Sequence, residues 1–164
     1  MVGTTRTSRR IDILLWRHAE AAPGHDDLRR PLTPHGERQA QAMAAWLREH
    51  APKALQIRVS PAVRCQSTAA ALERPFTTDA RLAPDAAVAD IVDCIGQPAT
   101  LRSAFLIVGH QPTLGRVAAW LMTGEETDWP IRKGALWWLT CREDRAARFS
   151  LTACLPPGLT GPHR

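Results

Sequence analysis

The sequence has no tyrosine and no asparagine, and only two of its 21 basic residues are lysine. Aromatic residues make up 5% of the chain. A nucleic-acid surface would interleave aromatics with a basic stripe, and the arginines here are scattered instead. No nucleic-acid partner is expected. Four cysteines, Cys65, Cys94, Cys141 and Cys154, stand far apart with no C-x-x-C pair, which argues against a zinc knuckle or a redox dithiol. No apolar run approaches the roughly 20 residues a membrane helix requires. The run at 11–16 includes Asp12 and passes straight into Arg17 and His18, so Ser8-Arg9-Arg10 does not read as the start of an export signal. A cytoplasmic protein without membrane contact is expected.

What is present fits one globular unit. The chain has 164 residues and 18.1 kDa, with 45% apolar and 23% charged residues. A chain of this size buries about 70% of its unfolded surface and needs no staples. The reading is a flexible basic tail over 1–10, one domain over 11–155 and a C-terminal tail over 156–164. A net charge of +5 and a pI near 9.7 favour anionic partners without naming one.

Hydrophobic patterning alternates between strands and helices. Residues 11–16 have the continuous apolar character of a strand buried on both faces. Thr33 can cap a helix with Pro34 in its first turn, and Ala40, Met43, Ala44 and Leu47 give that helix an apolar face as far as about Glu49. A strand is predicted over 55–59, with Ser60-Pro61 starting a helix over 63–72. A short strand over 76–78 and a helix over 85–95, broken by Gly96 and Pro98, follow. The clearest buried strand lies at 104–108, and its helix runs through Met122 to a stop at Gly124. Strands at 135–140 and 148–155, joined through a charged turn at 142–146, complete an α/β domain.

Three strand-to-helix junctions deliver basic groups: Arg17-His18, Arg64 and His110. In open α/β sheets, sites form outside the carboxyl ends of the strands, and helix N-termini there add N–H groups suited to anions. Two arginines, two histidines and two helix starts describe a phosphate pocket. Each residue alone is ordinary: a solvated junction, a helix-surface cation, a turn-closing ring. Several phosphate chemistries are missing. No Cys has Arg six positions later, no Gly-rich run ends in Gly-Lys-Ser/Thr, and no Asp-x-Asp pair occurs. Arginines beside the histidines repel a divalent cation, so no metal or other cofactor is expected. Histidine itself remains as the nucleophile.

Leu15-Trp16-Arg17-His18-Ala19-Glu20, Pro31-Leu32-Thr33-Pro34-His35-Gly36, the stretch from Val59-Ser60-Pro61 through Arg64 to Thr68, and Val108-Gly109-His110-Gln111-Pro112 resemble, in order, the signature stretches of the histidine phosphatase superfamily. The short Leu-Thr-x-x-Gly version looks most like its small bacterial SixA-type phosphohistidine phosphatases. The resemblance implies a phosphoglycerate mutase-like, three-layer αβα sandwich around a mostly parallel sheet. It further implies that His18 is the nucleophile and that Arg17, Arg64 and His110 hold the phosphoryl oxygens. Ala19 replaces the usual Gly, Ser67 stands where Gln is common, and Gln111 stands where the acid phosphatase branch carries Asp. Residues 73–103 are too short for the insertion that carries a Glu in mutases. Glu20 and Asp85 are the candidates left for a proton donor, although Glu20 could instead pair with Arg29 or Arg30.

An acid-poor site suits a phosphoramidate, whose imidazole leaves more easily than an alkoxide. The expected substrate is therefore phosphohistidine on a protein, with a phosphate or sulfate ion fitting the same pocket. Alternatives are a small phosphomonoester on the same residues, or a non-catalytic phosphate- or nucleic-acid-binding module.

Overall fold

A computed structural model describes residues 9–96, 104–142 and 148–159. Residues 1–8 of the predicted tail over 1–10, residues 160–164 of that over 156–164, the break at Pro98 and most of the 142–146 turn lie outside those residues, while Arg10 opens the first strand and Pro157–Leu159 form a 3-10 turn. The strands are β1 (Arg10–Arg17), β2 (Leu55–Val59), β3 (Thr77–Thr78), β4 (Ala104–Gly109), β5 (Leu136–Arg142) and β6 (Ser150–Leu155). The helices are α1 (Pro34–His50), α2 (Val63–Ala70), α3 (Val88–Ile95) and α4 (Thr113–Thr123). One sheet has the order β3-β2-β4-β1-β5-β6; β1, β2, β3 and β4 run parallel, β5 pairs antiparallel with β1, and β6 antiparallel with β5.

The period of two along each strand sorts the core into two layers. Ile11, Ile13 and Leu15 of β1 with Phe105 and Ile107 of β4 pack against α3 and α4. Leu14 and Trp16 with Leu106 and Val108 face α1 and α2 through Met43, Ala44, Leu47 and Cys65. This is the predicted αβα sandwich with β1 and β4 at its centre. Each fully buried aliphatic side chain contributes about 1.5–3 kcal/mol relative to exposure. The two apolar layers hold the sheet, which frees the strand ends for polar groups.

Two helices differ from the sequence reading at one end, and the last two strands run Leu136–Arg142 and Ser150–Leu155 rather than 135–140 and 148–155. The helix predicted from 85 starts at Val88, because Asp85 has φ +67 and cannot enter a right-handed helix, while the Asp90 carboxylate accepts from Ala87 N at 2.8 Å and fixes the later start. The helix predicted over 63–72 ends at Ala70, ahead of Glu73 at φ +55.

Thr33 caps α1 as predicted, its Oγ1 accepting from Gly36 N at 2.9 Å. The segment after His18 is bound to this helix start: Thr33 N donates to Glu20 O at 3.0 Å, and Glu20 N donates to Gln39 Oε1 at 2.9 Å. Gly36 permits the contact, because a Cβ there would lie 2.0 Å from Glu20 O. The opposing atom is backbone and cannot rotate away. Gly36→Ala should therefore cost about 1–3 kcal/mol through overpacking, read as a lower midpoint in thermal or urea unfolding.

Candidate active site

Strand register brings the three basic junctions together. Arg17 of β1 stands opposite Gly109 of β4, and Val59 of β2 opposite Val108. Just past those pairs, His18 N donates to Gly109 O at 3.1 Å and Ser60 N to Val108 O at 3.0 Å. The chain leaves all three strands at the same edge. Arg17, His18, Arg64 and His110 line one cavity of about 350 Å³, together with Asp27, Arg30, Asp85, Gln111 and Lys133. His18 and His110 are each 6% exposed and Arg64 3%, so burial governs their charge states.

Hydrogen bonds fix both imidazole tautomers. His18 Nδ1 lies 2.8 Å from Ala19 O, and a carbonyl only accepts, so Nδ1 carries the proton and Nε2 keeps the lone pair. That nitrogen has no partner among the described residues. Ala19 N in turn donates to Thr68 Oγ1 at 3.0 Å, and the same hydroxyl donates to Arg64 O at 2.6 Å. Thr68 thus joins the His18 segment to α2. His110 Nδ1 accepts from Arg64 Nη2 at 3.2 Å, leaving its proton on Nε2, 2.8 Å from Ser60 Oγ. The two rings sit 5.3 Å apart between centroids.

The guanidinium groups are held from behind. Arg17 Nη1 donates to Ile131 O at 2.8 Å. Arg64 gives Nη1 to Asp27 O, and Nη2 to Asp27 Oδ2 at 2.9 Å. Nε of both arginines is buried without a partner among the described residues. Both side chains line the cavity, and a buried donor left unsatisfied costs about 1–3 kcal/mol.

The carboxylates separate by position. Glu20 Oε1 accepts from Thr33 Oγ1 at 2.7 Å, forms no ion pair with Arg29 or Arg30, and does not line the cavity. The alternative pairing expected from the sequence is corrected: Arg29 pairs with Asp26 and Arg30 with Asp27. Asp85 does line the cavity, and its side chain has no partner among the described residues. Asp27, Arg30 and Lys133 were not singled out as site residues by their sequence. The charge cluster over 26–30 is the sequence signal nearest to them, and its opposite charges at i,i+3 spacing pair within the loop, Arg29 with Asp26 and Arg30 with Asp27.

Gln111 is engaged on both ends of its amide. Nε2 donates to Trp129 O and Oε1 accepts from Gly115 N, each at 2.8 Å. A Cβ on Gly115 would lie 1.8 Å from Trp129 O, so the first turn of α4 is in direct contact with the segment that leads to Ile131.

Burial first, then the nearby arginines, pushes His18 down to about 4 and His110 down to about 3. Both imidazoles are neutral at pH 7, and burial holds the Cys65 thiol beside them protonated, up at about 12. Protonation removes the His18 lone pair, so a rate that depends on it persists as pH falls through 6 and fails only towards 4. The acid limb of kcat/KM, corrected for substrate ionisation, should lie near 4 rather than at the ordinary histidine value of about 6.5.

The sequence pattern of the histidine phosphatase superfamily (branch 1) matches residues 13–105. The chain belongs to that superfamily. An uncharacterized protein of Mycobacterium tuberculosis is 33% identical over 116 residues, covering 68% of this chain and 73% of the relative. Among solved structures, one assigned to the phosphohistidine phosphatase SixA of Nakamurella multipartitia is similar at 27% identity and TM-score 0.74, covering 90% of this chain and 97% of its own. The protein histidine phosphatase SixA complexed with tungstate aligns at TM-score 0.76 and 23% identity, covering 90% and 98%. A mycobacterial glucosyl-3-phosphoglycerate phosphatase shares the superfamily fold at TM-score 0.67 and 16% identity, covering 88% and 98%.

Proposed function

We propose that this histidine phosphatase superfamily member hydrolyses phosphohistidine on a protein without a metal ion, through a phosphoryl group carried on His18. The observation that carries the reading is the His18 tautomer: Nδ1 is committed to Ala19 O, and Nε2 is a lone-pair donor in a cavity walled by Arg17, Arg64 and His110. Nε2 attacks phosphorus as the bond to the substrate imidazole breaks, and the departing nitrogen takes the electron pair and then a proton. Water attacks the phosphoryl group on His18, gives up its proton, and returns Nε2 with its lone pair and inorganic phosphate. Arg17 and Arg64 remain charged throughout and balance the charge spread over the phosphoryl oxygens.

Proton supply decides between substrates. Asp27 is kept ionised by its hydrogen bond from Arg64, and Glu20 lies outside the cavity, so Asp85 alone is left to protonate a leaving group. A second reading, a small phosphomonoester with another acidic group, draws support from Lys133, an exposed ammonium on the cavity wall.

The test compares phosphohistidine protein with aryl and alkyl phosphates, in wild type and Asp85→Asn, with and without chelator. The expected result is fast phosphohistidine turnover unaffected by chelation. Without acid assistance, wild-type rates should fall steeply from aryl to alkyl phosphates. A shallow dependence that steepens in Asp85→Asn, where a proton donor worth about 10²–10⁴-fold has been lost, assigns the acid to Asp85. Faster turnover of alkyl phosphates than of phosphohistidine would favour the second reading.

A further inference from the structure

We infer that the Asp27 carboxylate competes with the phosphoryl group for Arg64 and so sets how tightly the site holds phosphate. The inference rests on the reading of the cavity as a phosphoryl site. Arg64 is almost wholly buried, and Asp27 is its one ion-pair partner among the described residues. The pairing is made from a loop 37 residues away in sequence. Asp27 begins a single 3-10 turn over Asp27–Arg29, and its carboxylate lines the same cavity as His18.

Two contacts of different kinds make up this bond to Arg64. The backbone carbonyl of Asp27 takes Nη1 and adds no net charge. The carboxylate takes Nη2, the nitrogen that also reaches His110 Nδ1 at 3.2 Å, and all three residues line the cavity. A phosphoryl oxygen drawing on Nη2 meets a like charge already there. The carboxylate has somewhere to go: Oδ1 is 3.0 Å from Arg30 Nε, also on the cavity wall, and the Asp27 side chain is 56% exposed. Swinging from Arg64 towards Arg30 keeps it paired and hydrated. Its retreat lets a dianion in, and its return helps expel the phosphate product. A carboxylate serving only to orient the guanidinium would have the opposite effect on phosphate affinity when removed.

The experiment measures binding of inorganic phosphate to the full chain by calorimetry, and its inhibition of aryl phosphate hydrolysis, in wild type, Asp27→Asn, Asp27→Ser and Arg64→Ala. Both Asp27 variants keep the backbone carbonyl on Nη1. Removing one like charge a few ångström from a dianion should tighten phosphate binding about tenfold, with an equal fall in the inhibition constant and no rise in kcat. Unchanged or weaker phosphate binding in Asp27→Asn and Asp27→Ser overturns the inference. Failure of the wild type to bind phosphate, or retention of its affinity in Arg64→Ala, overturns instead the phosphoryl-site reading beneath it.

Discussion

His18→Ala should lose turnover by at least on the order of 10⁴-fold, since removal of a covalent nucleophile leaves only binding and electrostatics, while its unfolding midpoint stays close to wild type. The two halves of that result have separate causes. The main-chain bonds of residue 18, N to Gly109 O and O from Gly134 N, survive the substitution, so the β1 exit keeps its path. The ring sits at the sheet's edge and belongs to neither apolar layer. What disappears is the His18 nitrogen that keeps its lone pair in the cavity and has no partner among the described residues. Labelling with phosphate-labelled substrate should mark the wild type with an acid-labile, alkali-stable phosphoryl group and leave His18→Ala unlabelled. Appreciable turnover by the variant, or label on a residue other than His18, would refute the assignment.

Arg64→Ala is expected to reduce kcat/KM by about 10²–10³-fold, the usual cost of losing one preorganised charged donor. Arg64→Lys should recover only part of this, because an ammonium cannot reproduce the planar fork that reaches Asp27 O, Asp27 Oδ2 and His110 Nδ1 together. Full activity with Lys at position 64 would show that a point charge suffices. Arg64→Ala also removes a cation that holds the His18 pKa down, so the acid limb set by that ring should move upward, which a pH profile of kcat/KM would detect, while Arg64→Lys, which keeps the charge, should shift it less.

The junction residues were legible in the sequence because strand ends, caps and motif spacing are local properties. A buried apolar run that ends in Arg-His states where the strand stops and what stands there. Parallel register then does the rest without further information from side chains. Asp27 is illegible for the converse reason: its partner Arg64 lies 37 residues away in sequence, and nothing in the spacing of the 26–30 cluster distinguishes a carboxylate facing inward from one facing solvent. Glu20 failed as a pocket residue through a contact of the same kind, the reach to Thr33, which depends on how closely α1 approaches at Gly36. The start of α3 was misplaced because Asp85 takes a left-handed backbone that composition alone does not announce.

The clasp made by Gln111 bears on which mutational paths are open to this chain. An Asp at the position after the second histidine is how the acid phosphatase branch would supply a proton donor, and on paper one substitution separates the two strategies. Here the amide nitrogen of Gln111 donates to Trp129 O while its oxygen accepts from Gly115 N. An aspartate can do only the second of these, from a side chain one methylene shorter, and it would bring a negative charge towards a carbonyl oxygen that has just lost its donor. The strand of chain from Trp129 to Ile131 would have to be rebuilt at the same time, and with it the carbonyl that steadies Arg17. The intermediate on that route loosens the hold on Arg17 before any benefit of the new acid is available. If the chain hydrolyses phosphohistidine as proposed, its own scaffold holds it to substrates whose leaving groups need little help.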